Sequence, residues 1–250
     1  MNTIYRFGKH RKKEDPQGRT FQFAKYLTSE IPQPLGMYSN LQRVYDNLKI
    51  NDPTKLFPID GNDKIGDCTI AAIAHAKTEF SGLIGKKKIP SACSVKRQYR
   101  NMTGGKDTGL NMLDVMKRLK SNGMLGEKVP IFVEVDPKNL DHVRQAIMLF
   151  GGVYTGMFVQ EEDIPNFRDR KPWVPGSLIP NEGHAIWTSD YDSNFFKVLT
   201  WGNDQEATVE WWLQRVEECY AMIPEEASDP NFTPGFNYQL LLDDLKSVQK

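Results

Sequence analysis

The residues best suited to chemistry lie together in one stretch, Asn-Asp-Lys-Ile-Gly-Asp-Cys-Thr-Ile-Ala-Ala-Ile-Ala-His-Ala, positions 62–76. Gly66 and Asp67 deliver Cys68 to the first turn of an Ala/Ile-rich helix, with Asp67 placed to cap it. A thiol at a helix N-terminus faces the positive end of the helix dipole, which favours thiolate over thiol. Asn62, six positions earlier, can fold back across a glycine-containing turn and donate a hydrogen bond to an oxyanion. These are the features a cysteine nucleophile requires. The same stretch also reads as a buried cysteine in a core helix, where free cysteines usually sit.

A helix-borne cysteine needs a base from elsewhere in the fold, and the chain has four histidines. His10 lies in a basic N-terminal segment, and His142 follows Asp141 on an amphipathic helix. His75 shares the face of Cys68 but stands roughly 10 Å along the axis, too far for a direct hydrogen bond. It is expected to pack. His184 follows Gly183 at the start of a strand, where a side chain can point from a sheet edge into a cleft. It is placed like a base, and equally like a strand histidine hydrogen-bonded at a sheet end. A zinc site from Cys68, His75 and His184 would need a further ligand and lacks the usual paired spacing. No metal and no cofactor is expected.

The elements that must position these groups can be read from periodicity and punctuation. Helices are expected over 39–48, 68–83, 91–101, 111–122, 140–150 and 209–222, with a short last one over 238–245. Strands are expected over 129–135, 152–159, 184–189 and 195–201, the last two forming a hairpin. The connection 160–180, with acids, prolines, Phe167 and Trp173, reads as mobile. The loop 103–109 is no phosphate loop, because Lys106 is followed by Asp107 instead of Ser or Thr opening a helix. Cys219 reads as packing on the 209–222 helix. Helices first and strands later point to an α+β fold. Residues 1–60 read as an N-terminal arm, 61–225 as the domain and 226–250 as a tail.

Bulk properties narrow the function. The 250 residues carry 32 Lys+Arg against 32 Asp+Glu, a balance with no bias toward nucleic acid. No run approaches the roughly 18–20 apolar residues of a membrane helix, and the basic N-terminus lacks the apolar segment of a secretory signal. Three cysteines far apart suit a reducing compartment better than a disulfide framework. A cytoplasmic or virion-associated protein is expected, not one secreted by a signal peptide.

Three motifs in order carry a resemblance. Asn62 six before a helix-opening Cys68, then Gly183-His184-Ala185-Ile186, then Leu199-Thr200-Trp201-Gly202 resemble the papain-like cysteine peptidases. With Glu217-Glu218-Cys219-Tyr220-Ala221 they resemble, more closely, uncharacterised papain-like proteins of phages and bacteria. The resemblance covers roughly residues 55–225. It implies a helical part led by the cysteine-bearing helix, packed on an antiparallel sheet or barrel part that carries the histidine. It implies Cys68 as nucleophile, His184 as base, and Asn62 with the backbone N–H of Cys68 as oxyanion donors. The family's orienting asparagine falls sixteen residues after the histidine, which is Thr200 here; Asn203 is a further candidate. Trp201 would shield the histidine from water.

Two functions follow from that resemblance. One is a cysteine hydrolase that cleaves an amide bond, in a polypeptide or a peptidoglycan peptide, through an acyl-enzyme. The other is a weakly active or inactive papain-fold protein serving as a structural or binding component among neighbouring subunits, such as those of a phage particle. The arm over 1–60 could wrap such a neighbour or occupy the cleft as a propeptide does.

Overall fold

Capping side chains divide the chain into elements largely where the apolar period does. In this computed structural model, residues 6–14, 21–22, 35–229 and 231–232 are described. Strands β1 (Phe21–Gln22) and β2 (Tyr38–Ser39) lead into helix α1 (Asn40–Leu48). Ser39 caps α1, its Oγ accepting from the Gln42 N–H at 3.1 Å and relieving one of the orphan donors at a helix start. Helices α2 (Cys68–Leu83), α3 (Ala92–Thr103) and α4 (Met112–Asn122) follow. Then come β3 (Ile131–Val135), α5 (Leu140–Phe150), β4 (Val153–Gln160) and α6 (Asp163–Arg168). The chain continues through β5 (Leu178–Tyr191), β6 (Phe195–Thr200), β7 (Asn203–Thr208), α7 (Val209–Arg215) and β8 (Val216–Ile223).

The strands form one sheet in the order β1-β3-β8-β4-β5-β6-β7, with β2 paired to β5. Only β1 and β3 run parallel; the other pairs are antiparallel. The fold is α+β, as the pattern predicts. Its centre is α2, all 16 residues of which are buried. A helix without a polar face must be covered on every side: β5 lies on one flank, α1 on another. Two of the charged residues it carries find partners in the core. Glu79 Oε2 accepts from Trp187 Nε1 at 3.1 Å and from Ser189 Oγ, while Lys77 pairs with Glu127 at 2.6 Å.

Three expectations need correcting. The predicted helix over 209–222 ends at Arg215, where Val216 turns extended and β8 begins. Val, Cys, Tyr, Met and Ile in that segment fit a strand held between β3 and β4, and sheet pairing overrides helical periodicity. Cys219 is buried as expected, but on a strand. The connection 160–180 is ordered by α6 and by Phe167 and Trp173, both buried. Strand β7, Asn-Asp-Gln-Glu-Ala-Thr, escapes detection because it carries almost no apolar alternation; hairpin pairing with β6 forms it. The helix expected over 238–245 lies outside the described residues.

From Tyr38 onward the arm packs into the same core, which includes Leu41, Val44, Leu56 and Phe57. Asn40 ties it down. Its side-chain amide donates to the carbonyls of Ile147 at 3.1 Å and of Gly151 and Ser189 at 3.0 Å. Asp190 on β5 accepts from the N–H groups of Asn40 and Leu41, at 2.9 and 3.0 Å, adding a second cap to α1. Replacing Asn40 by Ala would strand buried carbonyls. Urea unfolding of Asn40→Ala is expected to show a stability loss on the order of 2 kcal/mol, with the m-value unchanged.

Candidate active site

Alanines at 71, 72, 74 and 76 let α2 approach β5 closely, and that approach sets the site. Cys68 opens α2 and is 1 % exposed. Its sulfur receives backbone hydrogen bonding from Ala185 on β5, from Gly8 and from Thr69. Ala185 directly follows His184, so the packing of α2 on β5 sets Cys68 against the strand that carries the histidine. Burial nevertheless pushes the Cys68 thiol up to about 11; those backbone bonds act in the opposite direction, and the neighbouring Asp67 charge adds to the rise.

His184 is fully buried. Its Nε2 lies 2.7 Å from Thr200 Oγ1, and its Nδ1 has no hydrogen-bond partner among the described residues. The ring stacks on Trp201 at 4.6 Å between centroids, and Phe7 meets it edge-on at 5.9 Å. Burial, then the nearby His75, lowers the His184 pKa to about 3, so the imidazole is neutral at physiological pH. With Nε2 donating to Thr200, Nδ1 keeps its lone pair and is free to take a proton.

A tight turn holds this arrangement. Thr200 pairs with Asn203 across the β6–β7 hairpin, leaving Trp201 and Gly202 at its tip with φ of 46° and 82°. Positive φ at both central residues is what a primed two-residue turn requires. A tryptophan seldom adopts it. Here Phe167 at 5.1 Å and Trp173 at 6.1 Å pin the indole against His184. Asn203, the other candidate to orient the imidazole, instead accepts from the Asp204 N–H at 3.0 Å.

Asn62 sits beside the cysteine turn, but its amide donates to Asp67 Oδ1 at 3.3 Å. Asp67 therefore holds Asn62 and makes no side-chain cap on α2, contrary to expectation. Burial raises the carboxyls of both Asp67 and Asp60 to about 7. His75 packs as predicted, its Nε2 3.0 Å from the Pro58 carbonyl and its ring edge-on to Phe57.

The chain's own residues 7–10 fill the cleft above this pair. Lys9 N–H donates to the Gly183 carbonyl at 3.1 Å, His10 N–H to Leu110 O at 2.9 Å, and Leu110 N–H to Gly8 O at 2.7 Å. The groove is narrow because glycines line it. A Cβ on Gly8 would lie 1.8 Å from Gly66 O, one on Gly109 would lie 2.3 Å from Gly8 O, and one on Gly183 would lie 2.6 Å from Lys9 O. Asp107 joins the two loops that form one wall, accepting from Gly66 N–H at 2.9 Å and from Tyr99 Oη at 2.8 Å. Sequence reasoning missed these residues. Gly109, in the glycine-bearing loop 103–109, was the available signal, and it lines the groove against Gly8.

Among the described residues no cluster of three or more His, Cys, Asp and Glu side chains could hold a metal ion. None of their helices is long and apolar enough to cross a membrane.

A cysteine-led helix packed on an antiparallel sheet that carries histidine and an adjoining Thr-Trp turn defines the papain-like fold, and solved structures agree. Xylellain, a cysteine protease from Xylella fastidiosa, superposes with a TM-score of 0.65 at 16 % identity, covering 88 % of this chain and 97 % of its own. ProCathepsin B S9 from Trypanosoma congolense gives 0.57 at 12 % identity over 88 % and 86 % of the two chains. Digestive procathepsin L 3 of the Tenebrio molitor larval midgut gives 0.52 at 9 % identity over 86 % and 76 %. No protein-family model matches the sequence, and no curated protein does. The phage connection suggested by the motifs gains no support from these neighbours.

A buried thiol of pKa about 11 labels slowly at neutral pH, since the thiolate is the reacting form. With iodoacetamide and peptide mass spectrometry, exposed Cys93 is expected to alkylate first. Cys68 should lag at pH 7 and accelerate as pH climbs toward 11. Gly8→Leu, which expels the segment from the groove, should speed Cys68 labelling at pH 7 while leaving Cys93 unchanged.

Proposed function

We propose that the protein is a cysteine hydrolase that cleaves an amide bond in a polypeptide or a peptidoglycan peptide through an acyl-enzyme. One observation carries this reading: a buried imidazole held through Nε2 by Thr200 keeps an unpartnered Nδ1, and the residue directly after it, Ala185, hydrogen-bonds through its backbone to the sulfur of helix-opening Cys68. Once the segment 7–10 leaves, water and substrate reach the pair and the desolvation that favours thiol over thiolate is relieved. His184 Nδ1 then accepts the Cys68 proton as sulfur attacks the carbonyl carbon. The C=O pair moves onto oxygen, where the Cys68 backbone N–H and, after release from Asp67, the Asn62 amide donate to the oxyanion. Collapse expels the amine, which takes the proton from His184, and leaves a thioester on Cys68. Water, deprotonated by His184, hydrolyses that thioester and restores the thiol. The Thr200 hydroxyl accepts from Nε2–H throughout and keeps the ring in register. Trp201 and Phe167 keep bulk water from the imidazole.

The second reading is a papain-fold binding or structural component. Its support is specific: Asn62 donates to Asp67, and Cys68 and His184 rest as neutral thiol and neutral imidazole.

Fluorogenic peptide hydrolysis by the Gly8→Leu chain separates the two. Cys68→Ala and His184→Ala in that background are expected to lower kcat/KM on the order of 10³-fold or more. Thr200→Val should cost about tenfold, the scale of one neutral hydrogen bond, and Thr200→Asn should restore most of it. No hydrolysis above the Cys68→Ala chain, together with no labelling by an activity-based thiol probe, would leave the binding component as the function.

A further inference from the structure

The amide of Asn62 is engaged before any substrate arrives. It donates to Asp67 Oδ1 at 3.3 Å, within the turn that delivers Cys68. Asp67 is fully buried, and its other oxygen, Oδ2, has no hydrogen-bond partner among the described residues. A second carboxylate shares the turn. Asp60 is 1 % exposed, and neither of its oxygens has a hydrogen-bond partner there.

Charged and titratable groups face this pair from several elements. His75 on α2 sets Nε2 3.9 Å from Asp60 Oδ2, and Cys68 adjoins Asp67. Lys96 reaches in from α3; a Cβ on Gly61 would lie 2.2 Å from its Cε, so glycine lets the stem cross the turn. Its charge lowers both carboxyls, while Asp107, which accepts from Tyr99, raises Asp67. Asp63 and Lys64 of the same turn are more open to solvent. On β5, against this end of α2, the titratable group is His184. The segment 7–10 brings Lys9, paired with Glu217 and Glu218, and His10, bonded to the Thr108 carbonyl.

Burial and mutual repulsion oppose charging both carboxyls, and each is raised to about 7. Hydrogen bonds to an ionised acceptor are about twice as strong as those between neutral groups. A developing oxyanion is such an acceptor. Ionised Asp67 competes with it for the Asn62 amide, and neutral Asp67 does not.

We propose that Asp67 is the positioning residue of the oxyanion site: its carboxylate retains the Asn62 amide, its carboxylic acid yields the amide to the oxyanion, and Asp60 and Lys96 bias the choice in opposite directions. The proposal rests on the hydrolase reading for the oxyanion, whereas the coupling of Asn62 to Asp67 stands without it. As pH falls through about 7, Asp67 takes a proton. Asn62 is then released, and the charge that opposes the Cys68 thiolate disappears. Turnover therefore favours mildly acidic solution.

The first test follows the Asn62 side-chain NH2 signals by 15N NMR in the full chain, assigned by their loss in Asn62→Ala. They are expected to shift with a midpoint near 7 and to stay still in Asp67→Asn. Asp60→Asn, which removes a like charge, should lower that midpoint, and Lys96→Met should raise it. These two variants keep the test valid should Asp67→Asn fail to fold. The second test measures peptide hydrolysis in the Gly8→Leu chain. There kcat should fall above the same midpoint, and Asp67→Asn should raise kcat on the alkaline side about tenfold with little change in KM, part of what one oxyanion donor is worth. In an Asn62→Ala background most of that gain should vanish. Asn62 signals that ignore pH, or midpoints that move opposite to these directions, would overturn the proposal. So would an equal gain with and without Asn62. Titrating signals in a chain that cleaves no peptide would retire the hydrolase reading and keep Asp67 as the group that holds Asn62.

Discussion

The structure depends on one packing constraint, the complete burial of α2 against β5. A helix with no exposed face stabilises through apolar burial on all sides, but it needs neighbours close enough to exclude water. Small residues on its surface allow that approach, and the approach sets Cys68 against the strand that carries His184. The same burial demands partners for every polar group in the layer. Glu79 finds Trp187 and Ser189, Lys77 finds Glu127, and Tyr154 donates to the Thr69 carbonyl at 3.0 Å in the first turn. These bonds fix the lateral position of α2 on the sheet. A hydrophobic contact alone would leave it free to slide.

Burial also decides the resting chemistry. A cysteine at a helix N-terminus is expected to favour thiolate, and the backbone bonding at Cys68 acts in that direction. Desolvation outweighs it, because the segment 7–10 seals the cleft. His184 is driven the same way, toward its uncharged form. The closed chain therefore holds thiol and imidazole in their uncharged forms.

Backbone pairing in a glycine-lined groove and the buried ion pairs of Lys9 are among the ties that hold the segment in the cleft. Backbone pairing accepts many sequences. Lys9 with Glu218 does not, since both side chains are buried and the carboxylate needs the ammonium beside it.

Much of this was legible before folding. The spacing of Asn62 and Cys68, the glycine before His184 and the Thr-Trp-Gly turn are local patterns, and each is read from residues close in sequence. The helices α1, α2, α4 and α5 were legible for the same reason, since caps and apolar period act within a few turns. Strand β8 was not, because its helical period yields to two neighbouring strands contributed by distant parts of the chain. The engagement of Asn62 by Asp67 was also hidden, as spacing says nothing of which acceptor an amide finds. Residue types and their order determined which groups could react. Only the tertiary structure decided that Lys9 would meet Glu217, 208 positions away, and Glu218 beside it. Pairing across that separation depends on the sheet bringing β8 beside β4 and the cleft, which no local propensity encodes.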